Sequence, residues 1–336
     1  MSHAISLTAT RFTNYFNQLA SSFDAQKLLK GLLVPFIAIL FFLMLWSAGA
    51  QQVQTSLGAF PGPAKVWEQT KSLWAEHQEE RVKGAAFYER LQKRIDKAVA
   101  ADKPQAKIDR LKQRKYTGKE TFIDQIFTSL ITVATGFLLA SLLAIPLGIL
   151  IGMNHTLYSA FNPIIQLLKP VSPLAWLPLV TMVVSAVYVS ADPLFSKSFL
   201  TSAITVTLCC LWPTIINTAV GVAGVDKDLL NVSRVLRLGW FTKTIKIVLP
   251  SSIPMMFTGL RLSLGIGWMV LIAAEMLAQN PGLGKFVWDE FQNGSSNSLA
   301  RIMVAVIAIG AIGFLLDRGM LSLQKIFSWD KNAVLR

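Results

Sequence analysis

The sequence predicts an all-α integral membrane protein with six transmembrane helices and a helical hairpin inserted on the extracytoplasmic side. Three observations predict it. The 336 residues are 53% hydrophobic and only 15% charged, against roughly 25% charge in soluble domains. Six apolar stretches approach the roughly 20 residues that a membrane-crossing helix needs. Between the fourth and fifth lies a basic, amphipathic segment, DKDLLNVSRVLRLGWFTKTIKIVLP (226–250), long and polar for a loop between lipid-embedded helices.

The six spans are placed at 31–49, 124–152, 174–190, 199–221, 253–277 and 301–321. The first follows Lys27 and Lys30 and a polar start, with no small-x-small cleavage site, and reads as an uncleaved anchor rather than a secretory signal. Its Pro35 falls in the predicted first turn, where a missing N–H does least harm. An even count of spans puts both tails, 1–30 and 322–336, on the side of the 222–252 loop. All three segments are net positive, so that side is read as cytoplasmic. The 50–123 segment on the other side is also net positive, with 15 basic and 9 acidic residues. Loops longer than about 60 residues translocate largely regardless of charge.

Within 50–123, Val82, Phe87, Tyr88, Leu91, Ile95, Ala98 and Val99 recur at helical spacing. Asp102-Lys103-Pro104 interrupts the pattern, and Ile108 and Leu111 resume it. The result is a helical hairpin over about 66–116. Two readings of it stand. One is a spacer with solvated charged faces; the other is a contact for a soluble partner, or a basic funnel drawing anions to a pore mouth.

Span two (124–152) carries a small residue at every fourth position: Gly136, Ala140, Ala144, Gly148 and Gly152. Such a stripe lets helix backbones approach closely in lipid, where packing drives association. Pro146 is expected to kink this helix. Pro170, Pro173 and Pro178 in KPVSPLAWLPL (169–179) predict an unwound start to span three. Non-helical backbone at membrane depth must meet protein or a water-filled cavity, and Trp176 suits a headgroup-level anchor. In span four, Cys209 and Cys210 are adjacent with no second Cys or His pair, so they read as small apolar packing.

Span five holds Arg261, Trp268 and Glu275. The two charges are fourteen residues apart, near one face but roughly 21 Å apart in rise, so they do not pair with each other. A charge at mid-depth costs at least roughly 2.5–3.5 kcal/mol, so each should face protein or water. Snorkelling or pairing with another helix is one reading; marking the two ends of a translocation path is the other.

Several functions are excluded. No phosphate loop, GxGxxG, HExxH or paired-Cys motif occurs, and His3, His77 and His155 are scattered. The chain therefore lacks the parts for nucleotide hydrolysis or water activation. A net charge of +13 is explained by membrane-edge residues without invoking nucleic acid.

The loop resembles the Glu-Ala-Ala loop of permease subunits in bacterial type I importers of the ATP-binding cassette class. That pattern runs Glu-Ala-Ala, three residues, Gly, nine residues, Ile, one residue, Leu-Pro. Ile247, Leu249 and Pro250 match its end, Arg237 stands in place of the Gly, and Asn231-Val232-Ser233 in place of Glu-Ala-Ala. The runs LLKPVSPLAWLPL (167–179), NVSRVLRL (231–238), FTGLRLSLGIGW (257–268), AAEM (273–276) and GLGKFVWDEFQN (282–293) are similar to the nitrate, cyanate and bicarbonate branch, with sulfonate and taurine permeases next.

The resemblance implies a type I importer permease domain over 124–321. It implies a coupling helix over 227–236, capped by Asp226, that sits in a groove of a separate ATPase. Leu230, Val232, Val235 and Leu236 would supply its apolar contacts, Arg234 and Arg237 its polar ones, and Pro250 closes the loop. Arg237, replacing a glycine, is expected to alter the turn after the helix. Trp176, Arg261, Trp268 and Glu275 are the candidates near the path. No cofactor is expected on this chain itself, with ATP and Mg on the partner. The implied partners are ATP-binding subunits, a periplasmic or lipid-anchored substrate-binding protein, a second copy of the permease and membrane lipid. The implied location is the bacterial inner membrane with both termini cytoplasmic. The implied cargo is a small anion, nitrate or nitrite first.

Overall fold

The computed structural model describes residues 25–55, 58–189 and 194–327, with the side chains of 25–32 left out. Residues 1–24 and 328–336, most of the two tails, lie outside the described residues. The chain divides into two units, Met1–Val66 and Trp67–Arg336.

In the first unit, α1 (Ala25–Gln52) is apolar and its side chains from Leu33 to Leu45 are largely exposed, as suits a helix whose solvent is lipid. It starts six residues before the predicted span. Pro35 is therefore interior, in the third turn rather than the first, where it removes one intrahelical bond. A minimal hairpin follows, β1 (Gln54–Thr55) paired antiparallel with β2 (Gly58–Ala59).

The 50–123 segment is dominated by α2 (Pro63–Ala100) and α3 (Gln105–Lys112). Asp102, at φ +49°, ends α2: its N–H bonds Val99 O and that of Lys103 bonds Ala98 O. This left-handed helix stop is the break the sequence marked at 102–104. The hairpin is unequal, with a long first arm and an eight-residue second helix. The chain then returns along α2: Tyr116 N–H bonds Tyr88 Oη, and Tyr116 Oη donates to Glu80 Oε1 at 2.7 Å.

Among the described residues, five helices are long and apolar enough to cross a membrane, or six when one bent pair counts as a single span. The core of the second unit is α4 (Phe122–Met153), α7 (Lys197–Ala223) and α10 (Leu249–Ala278), with α12 (Ser298–Phe327) against α10. The small-residue stripe of α4 faces α7. Ala140 and Ala144 are fully buried, and a Cβ on Gly148 or Gly152 would come within 2.6 Å of Thr218 Cβ or Ala219 O. Gly259 repeats the device on α10, where a Cβ would meet Asn217 Cβ at 2.6 Å.

The predicted third span is corrected. Pro173–Val187 forms a 15-residue helix, α6, at 97° to the preceding α5 (His155–Leu168). The prolines explain the break. Pro170 and Pro173 cannot donate to helical bonds, and Ser172 caps α6 by accepting from Leu174 N–H. The loop boundary moves too. Helical backbone resumes at α9 (Trp240–Lys243), passes through a π-helical turn at Thr244–Val248 and continues as α10. Ile247 to Pro250 therefore lie in helix, not loop. A further short helix, α11 (Leu283–Asn293), precedes α12.

Candidate functional site

The 226–250 segment builds α8 (Lys227–Val235). Asp226 caps it, its Oδ1 accepting from Asp228 N–H at 2.8 Å. The helix has two faces. Inward, Leu230 packs with Ile149, Met153 and Ile247 around the buried Val222, Val225 and Val248. Ser233 is 2% exposed and donates to Leu230 O. Outward, Val232, Val235 and Leu236 are 52%, 82% and 63% exposed, flanked by exposed Arg234 and Arg237. Leu230 thus departs from expectation: it holds the helix to the core and is not on the outward face. Trp240 and Phe241, which the sequence reading did not single out, add exposed aromatic surface just beyond. Their sequence signal was two large aromatics in a segment otherwise read as water-facing.

The turn after α8 keeps the shape a glycine would give. Arg237 sits at φ +46°; its N–H bonds Arg234 O and that of Leu238 bonds Ser233 O, each at 3.0 Å. This is the two-bond helix stop with a left-handed residue just past the cap. The expectation that Arg237 changes the turn is therefore corrected. Arginine adopts the conformation at a cost of roughly 1–2 kcal/mol that glycine avoids.

Of the candidates in the membrane region, Arg261 and Trp268 come together against α12. Arg261 donates from Nε and Nη2 to the two carboxylate oxygens of Asp317, at 3.0 and 3.1 Å. Trp268 Nε1 donates to Ile309 O at 3.0 Å, and Gly313 leaves room for its ring. Glu275 stands apart, 1% exposed, accepting from Ser129 Oγ at 2.8 Å and from Gly284 N–H at 2.9 Å. Ser129 in turn accepts from Leu283 N–H, so one carboxylate ties α4, α10 and the α10–α11 turn together. Gly282, at φ +147°, lies against that carboxylate, where a side chain would overlap it. Pro250, the second residue of α10, follows the π-helical turn at Thr244–Val248, inside a continuous helical run in which it cannot donate a backbone bond. Trp176, in the first turns of α6, is half-buried.

The sequence reading missed Asp317, Ser129 and Gly282. Asp317 had a signal: a lone acid in an apolar span needs a partner, as Arg261 does.

The insert meets the membrane helices through defined contacts. Arg81 bonds both Asp124 oxygens at 2.7 Å, and His77 Nδ1 lies 2.7 Å from Thr121 Oγ1, both partners belonging to the capping box that starts α4. Arg301, on α12, pairs with Glu290 and Glu76 and reaches Gln69. Between these contacts lies a cavity of about 640 Å³ with more acidic than basic side chains on its wall. This differs from the basic funnel that is one of the readings of the insert. At its edge, hydrogen bonding to Lys83 holds the Glu79 carboxyl below its usual range, and the bond to Glu80 raises the Tyr116 phenol.

Comparison with known proteins follows the same geometry. Residues 144–327 match the family described as binding-protein-dependent transport system inner membrane component. The chain is 39% identical over 202 residues to a nitrate import permease protein, NrtB, of Synechocystis, covering 60% of this chain and 68% of that one. It is 33% identical over 301 residues to the bicarbonate transport system permease protein CmpB of Synechococcus elongatus, covering 88% and 90%. It is 31% identical over 202 residues to a putative aliphatic sulfonates transport permease protein, SsuC, of Bacillus subtilis, covering 60% and 68%. A chain of the inward-facing MetNI methionine transporter superposes with a TM-score of 0.53 at 12% identity, covering 62% of this chain and 96% of that one, a likeness of fold alone. The chain belongs to the binding-protein-dependent transport system inner membrane component family, as an importer permease of its nitrate, bicarbonate and sulfonate group.

Proposed function

We propose that this chain is the membrane subunit of an ATP-driven importer of a small oxyanion, with nitrate as the cargo, driven through α8 by a separate ATPase. The observation that carries the coupling is the outward face of α8, where apolar Val232, Val235 and Leu236 stand exposed between Arg234 and Arg237. Exposed apolar surface rimmed by charge marks a docking site. A helix buttressed by Leu230 and Ser233 and gripped at this face transmits ATPase closure to α10 and the spans packed on it, alternating access between two states. ATP and Mg reside on that partner, which supplies the hydrolysis. A pathway requires more helices than one copy offers, so two copies pair. The membrane is the bacterial inner membrane, with α8 on the cytoplasmic side.

Arg261 and Glu275 hold the helices in place: each is consumed by protein partners, and neither is proposed to touch the anion. Nitrate is favoured by the higher identity to the nitrate permease. Bicarbonate is the second reading, because likeness to the bicarbonate permease extends over more of the chain.

Uptake of labelled nitrate by cells carrying the full set of subunits, challenged with excess bicarbonate, nitrite, cyanate or taurine, tests the cargo. Competition by nitrite and cyanate with none by bicarbonate supports the reading. Nitrate-insensitive bicarbonate uptake overturns it.

A further inference from the structure

Between Gln69 and Arg81, a rise of roughly 18 Å along α2, side chains reach the starts of two different spans. At the α12 end, Arg301 in the first turn of that helix pairs with Glu76. It also donates from Nε to Gln69 Oε1 at 3.3 Å and from Nη1 to Glu290 of α11 at 3.1 Å. Ser298, the first residue of α12, donates to the other Glu290 oxygen at 3.0 Å. At the α4 end, Arg81 and His77 hold Asp124 and Thr121, the two side chains that cap that helix. Glu80 accepts from Lys119 N–H at 3.0 Å and from the Tyr116 hydroxyl, so the chain leading into α4 is held as well.

α2 runs unbroken from Pro63 to Ala100, with its one proline at the first position. Two grips on one stiff rod fix the distance between the gripped ends. Beneath the rod the fit is open. A cavity of about 640 Å³ lies between α2 and the ends of α4 and α11, so polar contacts at its margins, not a continuous apolar core, hold α2 in place. At the other end of α4, Met153 packs with Leu230 of α8. Coupling over such distances travels through rigid elements and ion-pair networks. A push delivered beside α8 therefore reaches the opposite end only if the helices do not splay apart.

We propose that α2 is a brace: it binds the ends of α4, α11 and α12 opposite α8 into one body, so that a stroke applied at α8 moves that body without splaying it. The inference rests on the importer reading above and deepens it. The brace acts on the coupling of hydrolysis to transport and touches neither the anion nor the ATPase. With one end released, the helix ends part under load, hydrolysis continues, and less anion is carried for each ATP.

The test uses the transporter assembled with its ATPase and binding protein, in nanodiscs for distances and in liposomes for transport. Spin labels on Glu120→Cys and Asn297→Cys, in one copy per complex, report the separation of the starts of α4 and α12; the native Cys209 and Cys210 are buried. The parent is expected to give one narrow distance, the same without nucleotide and with ATP trapped. His77→Ala with Arg81→Ala frees the α4 end, and Gln69→Ala with Glu76→Ala frees the α12 end. Either pair is expected to broaden the distance and to raise the ATP hydrolysed per anion carried on the order of fivefold, the low end of an allosteric coupling. A rod released at either end no longer braces, so all four changes together should add little to one pair. Should a pair fail to assemble, Arg81→Gln and Glu76→Gln, closer in shape to the parent, carry the same comparison. A parent distance that shifts between the two states overturns the proposal. So do effects of the two pairs that sum, or pairs that leave both distance and stoichiometry unchanged. A parent complex that hydrolyses no ATP overturns the importer reading instead.

Discussion

Arg237 shows how a single residue can break a pattern and keep its geometry. It occupies the left-handed position that the family's loop gives to glycine, with both turn bonds formed. Arg237→Gly should therefore relieve roughly 1 kcal/mol of backbone cost and slow amide exchange at 236–238. Arg237→Val, β-branched at positive φ, should speed it; unchanged exchange in both variants would contradict the turn described. Gly282 poses the opposite case. Its φ of +147° and the adjoining Glu275 carboxylate leave no room for a side chain. Gly282→Ala should lower the melting temperature of the purified protein far more than Ala substitution at the open Gly310. These constraints were half legible in sequence. A glycine between two helical patterns suggests a special turn, but that Glu275 lies against it depends on packing that no local pattern records.

At the scale of helices, the sequence marked where chains must approach and where charges need company. The Gly136–Gly152 stripe of α4 lies against α7 as its spacing required. Arg261 demanded a partner and found Asp317, 56 residues on. Removing one member leaves a partly exposed charge without its partner in an apolar span, where a lone charge costs at least roughly 2.5–3.5 kcal/mol at mid-depth, whereas replacing both with apolar residues is often neutral. Arg261→Met should thus destabilise the folded protein in thermal unfolding, and Arg261→Met with Asp317→Leu should recover most of the loss. Additive losses would mean that the two do not act as a pair. What the sequence could not show was the 97° angle between α5 and α6. Prolines announce a break in a helix but not the direction taken after it. Nor did periodicity reveal that α9 runs through a π turn into α10, since Ile247 and Leu249 fit a loop end and a helix start equally.

For the whole molecule, composition alone indicated a lipid-embedded, multi-helix protein, and the structure keeps that class. The distribution of charge was not legible: a net-basic insert presents an acidic cavity because four of its own acids, Glu76, Glu79, Glu80 and Glu120, gather on one wall, where Asp289 and Glu290 of α11 join them. The functional argument converges on α8, where Leu230 faces the core and Val235 faces out. Arg234→Glu with Leu236→Glu should leave the protein inserted and abolish uptake, because both changes fall on the outward face. Leu230→Glu should instead reduce the yield of folded protein. The measurement that bears most directly on this is photo-cross-linking in intact cells from a probe at Val235. The account predicts a covalent adduct with a nucleotide-hydrolysing protein on the cytoplasmic side, and none from a probe at Leu230. An adduct with an extracytoplasmic protein, or reaction of Val235 with lipid alone, would contradict it.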